Sequence, residues 1–324
     1  MILGIESTAH TFGIGIVDNG KILANAKDTY TTEQGGIIPQ ESAKHHKDKA
    51  PSVYEKALSE ANIDEKDIKA IAYTHGPGLA PCLKEGVEFA KALATRLSVP
   101  LVPVNHCVAH LEIGNLTGAK DPVLLYTSGA NTQIISYEAG KFRIFGETLD
   151  IGVGNFIDTF ARYLDLGFPG GPKIAELADQ GKEYIELPYS IKGMDVAFSG
   201  ILTNLKQKVE KNEHKKEDLA YSLQETTFAM LIEAAERAMA HTNKKELLLG
   251  GGVACNTRLQ EMCKIMCKER EASFYCPERP LLVDNGAMIA FLGEIMHKAG
   301  ILEKPEQADF DARERTDQID VTWR

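Results

Sequence analysis

Two histidines four residues apart are the strongest sign of chemistry in this 324-residue chain. His106 and His110 follow the apolar run 101–104. On a helix this spacing places both imidazoles on one face, as a shared metal ion requires. The alternative is a helix start at which two polar residues happen to align. A zinc protease of the H-E-x-x-H type needs a glutamate after its first histidine, and Cys107 stands there, which argues against a protease.

A weak internal repeat supplies a third candidate ligand. Asp284 follows the last apolar strand of the second half, and His106 holds the matching place in the first half. Two lobes related by such a repeat would bring these strand ends together at a central cleft. Two imidazoles and a carboxylate, with the phenol of Tyr126 as a fourth candidate, suit a borderline ion such as zinc or iron.

Three short polar loops are candidates for binding a nucleotide. They cover residues 7–11, 128–132 and 250–256, and each follows a predicted strand. Hydroxyls and free backbone amides in tight glycine-containing loops bind phosphate oxygens. None of the three contains a P-loop or a dinucleotide-binding glycine pattern. Asp158 is a ribose ligand or an acid–base group, or equally a charge on a helix surface.

The elements that must position these groups also follow the repeat. In each half a Ser/Thr-rich loop joins two apolar strands, and a Gly-Lys turn, at Gly20 or Gly140, leads to a third. A glycine-rich break, a helix and a further strand follow. A meander continued by β-α-β units predicts an α/β fold. We expect one lobe over residues 1–120 and a second over 121–324, with an insertion at about 150–216 that has no counterpart in the first half.

Composition limits the class of protein. Apolar residues make up 44% and charged residues 25%, as in soluble globular proteins. We expect no signal peptide, no membrane span and, from six cysteines without a C-x-x-C pair, a reducing cytoplasm. The net charge of -10 opposes binding of nucleic acid, although lysine-rich segments at 44–49 and 206–216 could contact RNA. Cys263 and Cys267 fit a helix core, and His45 and His46 a solvated helix face.

Several motifs occur together in one order along the chain. They are N-H-x-x-A-H at 105–110 and the segments 76–79, 126–132, 145–150, 170–172, 193–195, 198–200, 251–254 and 284–288. In these motifs the chain resembles the TsaD-like tRNA threonylcarbamoyltransferases, once described as sialoglycoproteases. The resemblance extends beyond the motifs, from Leu3 to Trp323. The residues of these motifs are similar to those of the archaeal and eukaryotic branch of the family, whose members are the catalytic subunit of the KEOPS complex.

The resemblance implies an actin-like/Hsp70-like ATPase fold of two duplicated lobes with a helical insertion in the second. It implies one divalent metal ion, usually iron and sometimes zinc, held by His106, His110 and Asp284 with Tyr126 nearby. Asp158 is also the candidate for the catalytic acid–base group. The residues that the resemblance implies for binding ATP or the adenylate substrate are Tyr126, Thr127, Ser128, Gly129, Ala130, Asn131, Asp158, Gly171 and Asn256.

The chain departs from the family pattern at three places. Ala130 and Ser7 stand where glycine is usual. A glutamate found in many archaeal members is Ala175 here, with Glu176 beside it as the candidate substrate contact.

The activity that the resemblance implies is acyl transfer. Threonylcarbamoyl-AMP, supplied by a separate enzyme, would be attacked by the exocyclic amine of the adenosine 3′ of the anticodon, in tRNAs that read codons beginning with A. The implied partners are tRNA, a small kinase-like ATPase and a dimerising subunit. Two other classes share the fold: a small-molecule kinase, which would not need the histidine pair, and a nucleotide-dependent binding module without chemistry.

Overall fold

A computed structural model describes residues 1–32 and 36–324. Its framework is two five-stranded mixed sheets and one two-stranded ribbon. In the described residues the strands are β1 (Ile2–Glu6), β2 (Thr11–Asp18), β3 (Lys21–Thr29), β4 (Ala70–Gly76), β5 (Leu101–Asn105), β6 (Val123–Thr127), β7 (Thr132–Glu138), β8 (Lys141–Glu147), β9 (Ile191–Lys192), β10 (Asp195–Val196), β11 (Glu246–Gly250) and β12 (Ser273–Tyr275).

Helices cover both large sheets and fill the space between them. Short 3-10 turns occur at Glu65–Asp67, Ile113–Thr117, Gly252–Cys255 and Thr316–Gln318. The α-helices described are α1 (Pro39–Ala61), α2 (Ala80–Leu97), α3 (His106–Glu112), α4 (Val153–Tyr163), α5 (Gly171–Ala178), α6 (Ser199–Lys211), α7 (Lys216–Thr242), α8 (Thr257–Glu269), α9 (Arg279–Leu282) and α10 (Gly286–Lys298). No helix among the described residues combines the length and the apolar character needed to cross a membrane.

The two large sheets have the same topology. Their strand orders are β3-β2-β1-β4-β5 and β8-β7-β6-β11-β12. In each, the first three strands along the chain form an antiparallel meander, and the last two run parallel to the central strand. The predicted α/β fold built from a repeated unit is therefore confirmed.

The repeat extends to single turns. Asn19 and Gly20 have φ angles of 49° and 77°, and Ala139 and Gly140 have 52° and 79°. Positive φ at both central residues is the type I′ turn, whose twist matches that of a hairpin. Each meander also carries a β-bulge between its second and third strands. The two Gly-Lys turns noted in the sequence are thus equivalent hairpin turns.

The insertion predicted at about 150–216 contains α4, α5, α6 and the β9–β10 ribbon. In the described part of the first half, β3 is followed by α1 without such a segment. Cys263 and Cys267 are buried, as expected for a helix core. The solvated-face interpretation is wrong for His46, which is buried because α1 packs it against Phe12 of the first sheet.

The last helix belongs to the second half of the chain but packs on the first sheet. A Cβ atom at Gly15 would lie 2.2 Å from the backbone nitrogen of Ala287, and one at Gly4 would lie 2.1 Å from that of Ala290. The α10 backbone therefore lies directly on β1 and β2. Together with α3 it forms a core between the two sheets. The lobe boundaries at 120 and 121 stay a prediction, since the chain returns to the first sheet after residue 285.

The close approach at Gly15 predicts a large effect from one methyl group. Gly15→Ala should lower the free energy of unfolding by about 1–3 kcal/mol, because neither backbone can yield without shifting the helix. Thermal and denaturant unfolding measure the change. Gly200→Ala is the control, since a Cβ there meets no atom within 4 Å. Equal stability of the two variants would contradict the proposed close contact.

Candidate metal centre and nucleotide loops

The end of β5 positions the histidine pair. Asn105 is the last residue of the strand, and its side chain accepts a hydrogen bond from the backbone amide of Val108 at 3.0 Å. This cap starts α3 at His106. One helical turn later comes His110, and the two imidazole centroids lie 4.8 Å apart. The helix and shared face predicted from the spacing are both present.

Asp284 approaches this pair from the other half of the chain. It precedes α10, where the Asn285 side chain caps the helix by accepting from the amide of Met288 at 3.0 Å. Asp284 Oδ1 lies 3.5 Å from Nε2 of His106 and 3.5 Å from Nε2 of His110. The donor atoms of the three residues all lie within 4.8 Å of one another.

The two distances from Asp284 suit a shared metal ion. Burial opposes protonation of His106, but Tyr126, Glu6 and the Asp284 carboxylate raise its pKa, so a metal ion would have to deprotonate it. Ligand atoms about 2.1 Å from a shared ion are roughly 3.0–3.5 Å apart. Both ring nitrogens of His110 are buried and have no hydrogen-bond partner in the described residues. Burial lowers the pKa of His110, which favours the neutral, metal-binding imidazole. Burial opposes ionisation of Asp284, but the two neighbouring imidazoles hold the pKa of its carboxyl well below the usual range.

Tyr126 lies beside the cluster. Its hydroxyl is 3.0 Å from Nε2 of His106, and its side chain is buried at the end of β6. Burial raises the pKa of the phenol above its ordinary value, so in the free protein the group remains protonated. The Tyr126 hydroxyl and the Asp284 carboxylate therefore both lie close to Nε2 of His106.

Glu6, which was not among the candidates predicted from the sequence, contacts His106 from the side away from Asp284. Its carboxylate is 0% exposed, and Oε2 lies 2.9 Å from Nδ1 of His106. The Thr74 hydroxyl donates to Oε2 at 3.0 Å, and the Thr8 amide donates to Oε1 at 2.7 Å. A carboxylate on the far nitrogen orients an imidazole and turns its other nitrogen toward a metal. The only signal in the sequence was an acidic residue that ends an apolar strand.

The loop 128–131 is held from outside by α4. Amides at the start of this helix, those of Gly154 and Asn155, each donate to a loop carbonyl at 3.0 Å, at Ser128 and Gly129 respectively. Within the described residues, the exposed amides of Gly129 and Ala130 donate no hydrogen bond. The loop is thus fixed while two N–H groups stay available for an anion.

Two departures from the family pattern fit this geometry. Ala130 is absent from the residues with positive φ, so the alanine causes no backbone strain. The Ser7 hydroxyl fills the space above Gly86 of α2, where an added Cβ would come within 1.9 Å of it. Ser7 therefore packs the first loop against α2.

The third loop packs against the second. Gly251 has a φ of 90°, and a Cβ there would lie 2.4 Å from the Thr127 carbonyl oxygen. The Asn256 side chain caps α8 by accepting from the Arg258 amide at 2.9 Å and donates to Gln224 at 2.8 Å. The structure thus gives Asn256 a local role in starting α8.

Asp158 and Gly171 meet at the start of α5. Asp158 Oδ1 accepts from the Gly170 amide at 2.8 Å. Burial raises the pKa of Asp158, although the amides of Gly170 and Gly171 oppose the shift. Glu176 is exposed further along α5.

The fold and the site together define a class. Among solved structures, the chain is similar to HypF of T. kodakarensis, with a TM-score of 0.64, 17% identity, and coverage of 94% of this chain and 48% of that one. This neighbour has the actin-like ATPase fold, as expected from the sequence. The chain is therefore an actin-like ATPase-fold protein with a histidine–aspartate cluster between its two halves.

Comparison of the sequence identifies the family. The model of the TsaD family, described as tRNA N6-adenosine threonylcarbamoyltransferase, matches residues 21–291, and the chain belongs to this family. A relative of that name from Thermococcus sibiricus is 56% identical over 321 residues, which are 99% of each chain. A "probable bifunctional tRNA threonylcarbamoyladenosine biosynthesis protein" of Methanosarcina mazei is 51% identical over 99% of this chain and 59% of its own.

The contact between Glu6 and His106 predicts a test of metal affinity. Glu6→Gln should weaken metal binding about 10- to 100-fold while preserving the fold, because the neutral amide orients the imidazole less strongly. Competition with a chromophoric chelator measures the affinity. Glu88→Gln, an exposed change on α2, serves as the control. Unchanged affinity in Glu6→Gln would show that this carboxylate has no part in the site.

Proposed function

We propose that this chain transfers the threonylcarbamoyl group of threonylcarbamoyl-AMP to the exocyclic amine of the adenosine 3′ of the anticodon, in tRNAs that read codons beginning with A. Membership of the TsaD family supports the reaction class. The observation that carries the proposal is the convergence of His106, His110 and Asp284 from both halves of the chain beside Tyr126, which leads into the loop 128–131.

His106, His110 and Asp284 would hold one divalent ion, with Tyr126 close enough to join them. Imidazole and carboxylate donors suit both iron and zinc. We propose iron, with zinc as the alternative, because the resemblance to the family implies that order. When bound, the ion supplies Lewis-acid stabilisation of negative charge on the adenylate. The chain itself holds His106 in one orientation through Glu6.

The loop 128–131 would bind the phosphate of the donor. Free amides at Gly129 and Ala130 can stabilise the charge that grows on the phosphate as the carbamoyl–oxygen bond breaks. The adenosine amine forms the new N–C bond, AMP leaves and the amine loses a proton. Asp158 is the proposed proton acceptor, since burial raises its pKa toward that of a working base. The further contacts proposed for the nucleotide are Tyr126, Thr127, Ser128, Asn131, Gly171, Glu176 and Asn256.

The partners proposed are tRNA and subunits of the KEOPS type, including a small kinase-like ATPase and a dimerising subunit, in the cytoplasm. A net charge of -10 repels tRNA at long range, so basic surface from partners would be needed for tight binding. The Methanosarcina mazei relative extends well beyond the part that this chain matches, and its name states two functions. That arrangement is consistent with a second activity working beside this one.

Removal of a metal ligand tests the proposed reaction. His106→Ala and Asp284→Ala should each lose bound metal and reduce transfer at least 100-fold, because three ligands are few enough that each is needed. Elemental analysis and nucleoside analysis of tRNA, incubated with threonylcarbamoyl-AMP and partner subunits, give the two measurements. His241→Ala, an exposed histidine on α7, is the control. Full metal content in both ligand variants would rule out this site, and phosphorylation by metal-free protein would favour a kinase.

The phosphate loop gives a separate prediction. The Ser128 hydroxyl lies 3.0 Å from both the amide and the carbonyl oxygen of Asn131 and so closes the loop. Ser128→Ala should lower nucleotide affinity about tenfold with little change in melting temperature. Isothermal titration with ATP or AMP measures this, with exposed Ser52→Ala of α1 as the control. Identical affinities would exclude the loop from nucleotide binding.

A further inference from the structure

A cavity of about 400 Å³ lies behind the third loop. Its walls include Cys255, Lys264, Phe274, Glu278 and Arg279. These residues come from the third loop, α8, β12 and the start of α9. Cys255 directly precedes Asn256, and α9 ends two residues before Asp284. The cavity therefore shares its walls with segments that build the metal centre and the nucleotide loops.

Cations from both halves of the chain gather at this cavity. Lys264 and Arg279 line it, and Lys27 of β3 lies beside it, with Nζ 3.4 Å from the backbone oxygen of Asp284. Asn25 ties β3 to α9 by donating to the Pro280 carbonyl at 3.4 Å.

Among the described residues, none of the three cations forms an ion pair with a carboxylate. Lys264 and Arg279 are exposed, whereas the half-buried Arg258 and Arg270 nearby are both paired. Glu278 is the one acidic residue in the lining, so positive charge is in excess. In a chain with a net charge of -10, such an excess beside the cleft favours an anionic ligand.

The shape and the apolar lining indicate what kind of anion fits. The volume lies within the range of about 300–1,000 Å³ that is usual for small-ligand sites. Half-buried Phe274, with Nζ of Lys264 5.8 Å from its ring centroid, offers an aromatic surface against which a base or a ribose can pack, as aromatic side chains do in single-stranded RNA sites. A nucleotide unit, with one phosphate and one apolar face, matches both features.

We propose that this cavity binds a nucleotide of the tRNA next to the reacting adenosine, with its phosphate on Arg279 and Lys264 and with Lys27 beside it. The proposal rests on the proposed function, since it requires RNA at the metal centre. In this proposal the adenosine approaches Asp284, and the strand that carries it passes α9, which ends two residues earlier in the chain. RNA is favoured over a free nucleotide because the cations come from both halves of the chain, along the edge of the cleft.

The test compares a charge-neutral double variant, Lys264→Gln with Arg279→Gln, with the wild type and with Lys268→Gln. Lys268 is an exposed lysine one turn further along α8 and outside the cavity lining. Each full-length, metal-containing protein is titrated with a tRNA transcript at several salt concentrations. We expect Kd to rise about tenfold at low salt in the double variant, and the log–log salt slope to become shallower by about 0.7 for each phosphate that is no longer neutralised. Lys268→Gln should match the wild type.

Three outcomes separate the possibilities. An unchanged slope and Kd in the double variant would overturn the proposal. Weaker binding of free AMP with unchanged binding of tRNA would also overturn it, because the cavity would then be a mononucleotide site. If the double variant loses tRNA affinity and slope as expected yet the wild type modifies no adenosine, the cavity is an RNA-binding site, and the proposed function fails together with the placement beside a reacting adenosine.

Discussion

The direct packing of α10 on the first sheet is the constraint on which the site depends. Gly4 and Gly15 allow the helix backbone to touch β1 and β2, with no side chain between them. Asp284 lies two residues before the first residue of this helix, so the same contact fixes the distance of Asp284 from the sheet. The histidines of α3 start from β5 of the same sheet. One sheet thus aligns ligands that are separated by more than 170 residues in the chain.

The candidate metal site places several ionisable side chains in a buried position. Burial of such groups is unfavourable unless each has a hydrogen-bond or charged partner. Glu6 is compensated by His106, Thr74 and Thr8. His110 has the Asp284 carboxylate 3.5 Å from Nε2, but among the described residues neither of its ring nitrogens has a hydrogen-bond partner. An ion would satisfy at least one of them. The site is therefore prepared for a ligand at the cost of an incomplete hydrogen-bond network in the free protein.

The candidate nucleotide loops are held in place by a different set of contacts. Loop 128–131 is fixed through its carbonyls by the insertion helix α4, and Gly251 packs the third loop against its base. Holding a loop by its carbonyls leaves its amides directed elsewhere, which suits the binding of phosphate. The insertion, through α4, thus holds loop 128–131 of the second half in place.

The sequence by itself determined the features that depend on neighbours along the chain. The duplicated meanders, the turns at Gly20 and Gly140, and the shared helix face of His106 and His110 follow from short spacings and turn chemistry. Asp284 was predicted from the internal repeat, because the repeat relates its position to that of His106 in the first half.

Only the tertiary structure decided the contacts for which neither spacing nor repeat gives a rule. Glu6 meets His106 across 100 positions, and α10 returns to the first sheet. His46 is buried although lysines surround it in the sequence. Asn256 is engaged as a helix cap. Such contacts depend on how whole elements pack, and a single acidic, basic or amide side chain looks the same in the sequence whether it is buried or exposed.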